Sequence, residues 1–138
     1  MGEGFKKRME IDLVLPDTNI LILALKKEKP YSSFLRGLIV NKRLILSAVV
    51  VAEFLVGATE EQEKIFNLLL TQFKVVSVDL AVAQLAAVYR KKHLEKGKKI
   101  GLPDCFIAAT CKIHKIVLAT LNKKDYPMED LRILDKFK

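Results

Sequence analysis

"DLVLPDTNILILALKK", residues 12–27, decides how the chain folds. Residues 12–16 form a short apolar run that stops at Pro16, which reads as a buried strand. Asp17 follows at once, and then an apolar helix pattern over 18–27. The alternation continues outward. Pro30 ends the first helical region, and 31–42 is a second helix. "RLILS", 43–47, is a strand. Ser47 caps the helix 48–57, and Gly57 is expected to close it as the residue just past its end. Residues 59–72 read as helix, with Thr59 as cap and Glu60, Glu61 and Glu63 at the positive end of the dipole.

"FKVVSV", 73–78, is a third strand, and Asp79 caps a helix to Glu95 that Gly97 ends. Pro103 opens a helix over 103–114, a favoured first-turn position. "KIVLAT", 115–120, and "DLRIL", 130–134, are the last two strands. Short apolar strands alternating with helices indicate an α/β fold with a parallel sheet. Its crossovers should be right-handed. A ligand site should then lie beyond the carboxyl ends of the strands.

Size and composition fit this reading. The 138 residues suit one domain, 51% hydrophobic and 29% charged. Lys and Arg number 24 against 16 Asp and Glu, a net +8 that raises the expectation of a polyanionic partner such as nucleic acid. Cys105 and Cys111 lie six positions apart on one predicted helix, about 9 Å by rise alone and too far for a disulfide. They read as small buried residues in a reducing compartment. No Cys-x-x-Cys or paired histidine suggests zinc. No apolar signal core and no uncharged run of about 18 residues appears, so a cytoplasmic location without membrane is expected.

Three acids stand alone in apolar surroundings. Asp17 is the only charge between Asp12 and Lys26, Glu53 between Arg43 and Glu60, and Asp104 between Lys99 and Lys112. Asp17 also fits a helix cap, and Asp104 a first-turn acid favoured by the dipole. Glu53 is mid-helix, where the dipole gives it little, so it needs a partner or solvent. If all three converge at one edge of the sheet, they repel one another and raise their pKa values. A divalent cation removes that conflict, and oxygen ligands suit Mg²⁺ or Mn²⁺. A metal that keeps waters can activate one against a phosphodiester. Thr120, Asn122 and Asp125 follow the fourth strand and can add groups to the same edge, with a polar turn as the other reading of Asp125.

These residues resemble the PIN domain, from about Leu13 to Leu134. "PDTN" (Asp17, Thr18, Asn19) matches the family's first motif, and Glu53 in "SAVVVAEFLVG" its second acid. Asp104 in "PDCFIAAT" matches the third acid, and Thr120 with Asn122 in "LATLNKKDY" the fourth motif. The resemblance implies a three-layer α/β/α fold with a parallel sheet of about five strands. It implies a Mg²⁺- or Mn²⁺-dependent endoribonuclease with Asp17, Glu53, Asp104 and Asn122 as catalytic residues and the three acids on the metal. The single-domain form is similar to the toxins of VapBC-type toxin–antitoxin pairs, usually homodimers neutralised by a small antitoxin. Asn122 stands where many relatives have Asp, which puts one metal site in doubt. Residues 1–10 read as an N-terminal extension with Met9 an alternative start, leaving 11–138 as one domain.

Thr18, Asn19, Thr120 and Asp125 are expected to orient ligands or water around the acids, Thr18 serving equally as a helix cap. Arg90, Lys91, Lys92, Lys98 and Lys99 lead toward Asp104, and Lys123 and Lys124 lie on a second loop. These are candidate RNA phosphate contacts, or else a solvated surface. His93 and His114 are expected at the surface, without a role. Tyr31, Tyr89 and Tyr126 lack the regular spacing of a base-stacking platform. A haloacid dehalogenase-like phosphatase needs an acid where Asn19 stands. An RNA-processing nuclease outside a toxin system, and a silent RNA-binding module, remain as alternatives.

Overall fold

The computed structural model describes residues 12–137. The expected extension over 1–10 and the alternative start at Met9 lie outside them. In chain order the elements are β1 (Val14–Pro16), α1 (Thr18–Leu25), α2 (Tyr31–Val40), β2 (Leu46–Ser47) and α3 (Ala48–Gly57). Then come α4 (Glu60–Gln72), β3 (Val75–Val76), α5 (Leu80–Glu95), α6 (Leu102–His114), β4 (Val117–Ala119) and β5 (Ile133–Leu134). A short 3₁₀ turn, Lys123–Asp125, follows β4.

All pairings are parallel. β1 pairs β4, which pairs β5, and β2 pairs β3. The Val14–Leu44 bridge joins the two sets. Two hydrogen bonds reinforce it, Val14 N–H to Arg43 O at 2.8 Å and Ile45 N–H to Val14 O at 3.1 Å. The sheet therefore runs β3-β2-β1-β4-β5. The strand order reverses between β1 and β4, which is where such sheets open a crevice for ligands.

Right-handed crossovers place α1–α4 on one face and α5–α6 on the other. The packing agrees, with α1 against α2 and α3, and α5 against α6. The core is mainly apolar, with Leu15, Ile20, Leu21, Leu46, Phe54, Phe66, Ile107 and Leu118 fully buried. The Phe54 and Phe66 rings, 4.3 Å apart, lock α3 to α4.

Local signals explain most boundaries. Ser47 Oγ accepts the Val50 N–H, and Asp79 Oδ1 accepts that of Val82. Thr59 and Gln62 form a reciprocal capping box. Gly97 takes the left-handed conformation expected of a helix exit, at φ 76°. Gly57 does not. It is the last helical residue, because Ala58 turns directly to extended backbone and leads into the Thr59 cap. Lys27, Lys42 and Lys115 instead hold positive φ values of 64°, 55° and 56°. His93 also departs from expectation. It is buried against the α5 backbone, its Nδ1 2.8 Å from Tyr89 O.

Candidate active site

Asp17 is placed by the ladder itself. Its N–H donates to Ala119 O at 2.8 Å, fixing it one residue beyond β1 and beside β4. One carboxylate oxygen accepts the Asn19 N–H at 3.1 Å and caps α1. The other accepts the Thr120 hydroxyl at 2.6 Å. Cap and site residue are thus one side chain, 6% exposed. Thr120, wholly buried just past β4, also accepts the Asn122 N–H at 3.1 Å, so its donor and acceptor are both engaged.

Glu53 reaches the same place from α3. Val50 and Phe54 bury one face of that helix, and Glu53 lies one residue, about 100°, from Phe54 at the edge of the buried stripe. Its Oε1 accepts the Thr18 hydroxyl at 2.8 Å, which ties α3 to the start of α1. Glu53 is exposed, as its lack of a buried countercharge requires.

Asp104 occupies the first turn of α6, which Gly101 starts without a side-chain cap. Cys105, Ala108, Ala109 and Cys111 are buried, and these small side chains let α6 pack closely against its neighbours. Asp104 Oδ1 accepts the Tyr126 hydroxyl at 3.3 Å. Tyr126 is buried, a contact that sequence reasoning missed. The available signal was an aromatic directly after the polar turn "NKKD", where no solvated loop needs one.

Asp17, Glu53 and Asp104 line one cavity of about 260 Å³, with Thr18, Asn19 and Asp125. Tyr126 and Ile107 wall it. Burial raises the Asp17 carboxyl above its usual range; Thr120 and the main-chain N–H groups of Ile20 and Asn19 pull it back, and the Glu53 charge pushes it up again. Burial raises Asp104 too; the Tyr126 hydroxyl opposes this, and the charges of Asp125, Glu53 and Asp17 add to it. Acids from four separate segments therefore feel one another.

The donors are all oxygen, the set that hard divalent cations prefer. Water takes about 30 Å³ in the liquid, so the cavity has room for a cation with several of its waters. Among the described residues no three such side chains already stand at direct-ligand spacing. By donor type and room, though not by preset ligand spacing, the lining suits a hydrated hard cation.

Asn122 is not part of this lining. It is exposed, and its main-chain N–H rather than its side chain meets Thr120. Asp125, at the end of the 3₁₀ turn, faces the cavity instead. Lys98, Lys123 and Lys124 line a groove that shares Tyr126 with the acid cavity, and Lys92 lies in the next groove. Lys91 and Lys99 are exposed but line neither groove, and Arg90 is half-buried near Cys105. Both cysteines are free and buried, and burial pushes the Cys111 thiol up to about 12. No helix among the described residues is long and apolar enough to cross a membrane.

Residues 14–130 match the family model of the PIN domain. Over 117 residues the chain is 30% identical to ribonuclease VapC10 of Mycobacterium tuberculosis, covering 84% of this chain and 87% of that one. The fold matches VapBC2 of Rickettsia felis, solved bound to a DNA fragment from its promoter, at a TM-score of 0.76 and 22% identity over 88% of this chain and 97% of that one. It matches FitAcB of Neisseria gonorrhoeae at 0.70 and 27% identity, over 88% and 96%. A family match across most of the length, together with a relative at that identity, makes this chain a member of the PIN domain family.

Proposed function

We propose that the chain is a divalent-cation-dependent endoribonuclease, using Mg²⁺ or Mn²⁺, and that it acts in the cytoplasm as the toxin of a toxin–antitoxin pair. The observation that carries this is the meeting of Asp17, Glu53 and Asp104, from three apolar segments, in one cavity at the reversal of strand order. The name of the M. tuberculosis relative supports RNA as substrate, and the VapBC complexes among the structural neighbours support an antitoxin partner. A second copy of this chain is the proposed oligomer partner.

When bound, the cation would supply a water acidic enough to attack phosphorus and positive charge against the phosphate oxygens. Asp17, Glu53 and Asp104 would hold it. Thr120 fixes the rotamer of Asp17, Thr18 that of Glu53, and Tyr126 that of Asp104, so the acids are aimed before substrate arrives. Asp125 adds a further carboxylate to the cavity, which favours cleavage over silent binding. The lysines beside it offset the repulsion between these acids and RNA.

Purified chain with Mg²⁺ or Mn²⁺ should cut RNA internally, stop in EDTA, and be silenced by Asp104→Asn. RNA left intact by the wild type, or cutting unchanged in Asp104→Asn, overturns the reading. An RNA-processing role outside a toxin system is separated by expression: a toxin arrests growth, and its Glu53→Gln variant does not.

A further inference from the structure

Tyr126 walls the acid cavity on one side. The buried ring also borders a groove of about 780 Å³ rimmed by Lys98, Lys123 and Lys124. Lys98 is shared with a second groove, of about 240 Å³, that adds Lys92 and Lys96 from the end of α5. The two grooves, which share Lys98, thus make a track of five lysines that adjoins the acid cavity at Tyr126. Pro127, Met128, Leu131 and Ile133 contribute apolar surface to the first groove. Two acids also lie along the path. Asp130 is already engaged, by the Tyr89 hydroxyl at 3.0 Å and by Lys112 at 3.8 Å. Glu129 is the one that subtracts from the positive field.

We infer that this track carries the flanking strand of the RNA, which leaves the acids past Tyr126 and runs over Lys123, Lys124 and Lys98 toward Lys96 and Lys92. The inference rests on the ribonuclease reading and assigns its substrate path. Three features fit a polynucleotide strand. Successive cations can meet successive phosphates, the first groove offers apolar surface to bases and sugars between them, and the track ends on carboxylates that a phosphate approaches only with a cation present. Arg90, Lys91 and Lys99, equally basic in sequence, lie off it.

The test is equilibrium binding in EDTA of a labelled single-stranded RNA of about 12 nucleotides, within the range such sites span. Because nothing is cut, the result stands apart from whether the chain is a nuclease. Lys96→Gln/Lys98→Gln removes two charges from the track. Lys26→Gln/Lys74→Gln removes two at the opposite edge of the sheet, where α1 ends and β3 begins. Each lost phosphate contact should flatten the slope of log affinity against log salt by about 0.7, so the track variant should flatten it by about 1.4. Between about 50 and 200 mM salt the wild type should then lose roughly sevenfold more affinity than the track variant. The Lys26/Lys74 variant should keep the wild-type slope. An unchanged slope in the track variant, or equal flattening in both, overturns the assignment and leaves these lysines to a protein partner or to solvent.

Discussion

Thr120→Val tests how the central acid is held. The hydroxyl lost is wholly buried, donates to Asp17 at 2.6 Å and accepts from the Asn122 N–H. A hydrogen bond to a charged group contributes about 1.5–3 kcal/mol and a neutral one about 1. The Asn122 N–H is only part-buried and can turn to water. The methyl that replaces the hydroxyl returns less than about 1 kcal/mol. The net loss should be about 2 kcal/mol, read by urea denaturation in EDTA near neutral pH. In an Asp17→Asn background the acceptor is no longer charged, and the same substitution should cost about 1 kcal/mol. The cycle should therefore give a coupling of about 1 kcal/mol between positions 17 and 120. Thr120 is also the first of the hydrogen bonds that lower the Asp17 carboxyl, so Thr120→Val should raise it further. A coupling below about 0.3 kcal/mol, the scatter expected of independent sites, would refute this account of the pair.

Asp17 and Asp104 are both raised above 3.8, so their ionisation weakens the cation-free fold. That penalty is absent below 3.8 and grows as pH rises through the folded values. In EDTA, Asp17→Asn/Asp104→Asn should gain melting temperature on the wild type as pH rises from about 4.5 to 7; a constant or narrowing gap would contradict the clustering. Asp125→Asn should cut RNA cleavage about 10–100-fold, whereas Asn122→Ala should stay within a few-fold, and the reverse order would restore Asn122 to the site. Cys105 and Cys111 should resist a thiol reagent in the native protein and react in urea, since burial holds both thiols high and shields them. His93→Ala should cost about 1 kcal/mol of stability through the ring bond to Tyr89 O, a carbonyl that keeps its helical main-chain partner, and a neutral result would mean that side-chain bond contributes nothing net.

The sheet was legible because each strand is a short apolar run bounded by a helix cap or proline, as at Pro16–Asp17 and Ser47. Strand ends were overread. "FKVVSV" pairs only at Val75 and Val76, since edge pairing stops where the twisted neighbour β2 ends after two residues. Asp17, Glu53 and Asp104 stood out because an isolated acid in an apolar segment needs a reason, and all three line one cavity. Asn122 and Asp125 were harder. They sit three residues apart in a turn, and only its 3₁₀ path decides which side chain faces the acids. His93 looked like one polar residue among lysines, although its position four after Tyr89 puts both on the buried stripe of α5. The left-handed positions themselves, Lys27, Lys42 and Lys115, are neither glycine nor asparagine, so nothing at them announces the conformation.

The proposed function requires that acids distant in sequence make one cation site. Calorimetric titration of the whole chain with Mn²⁺ reads that site itself. Wild type should bind saturably, and Asp17→Asn, Glu53→Gln and Asp104→Asn should each weaken binding about tenfold or more while keeping a cooperative melt. Binding that is absent in the wild type, or equal in all four proteins, would contradict it.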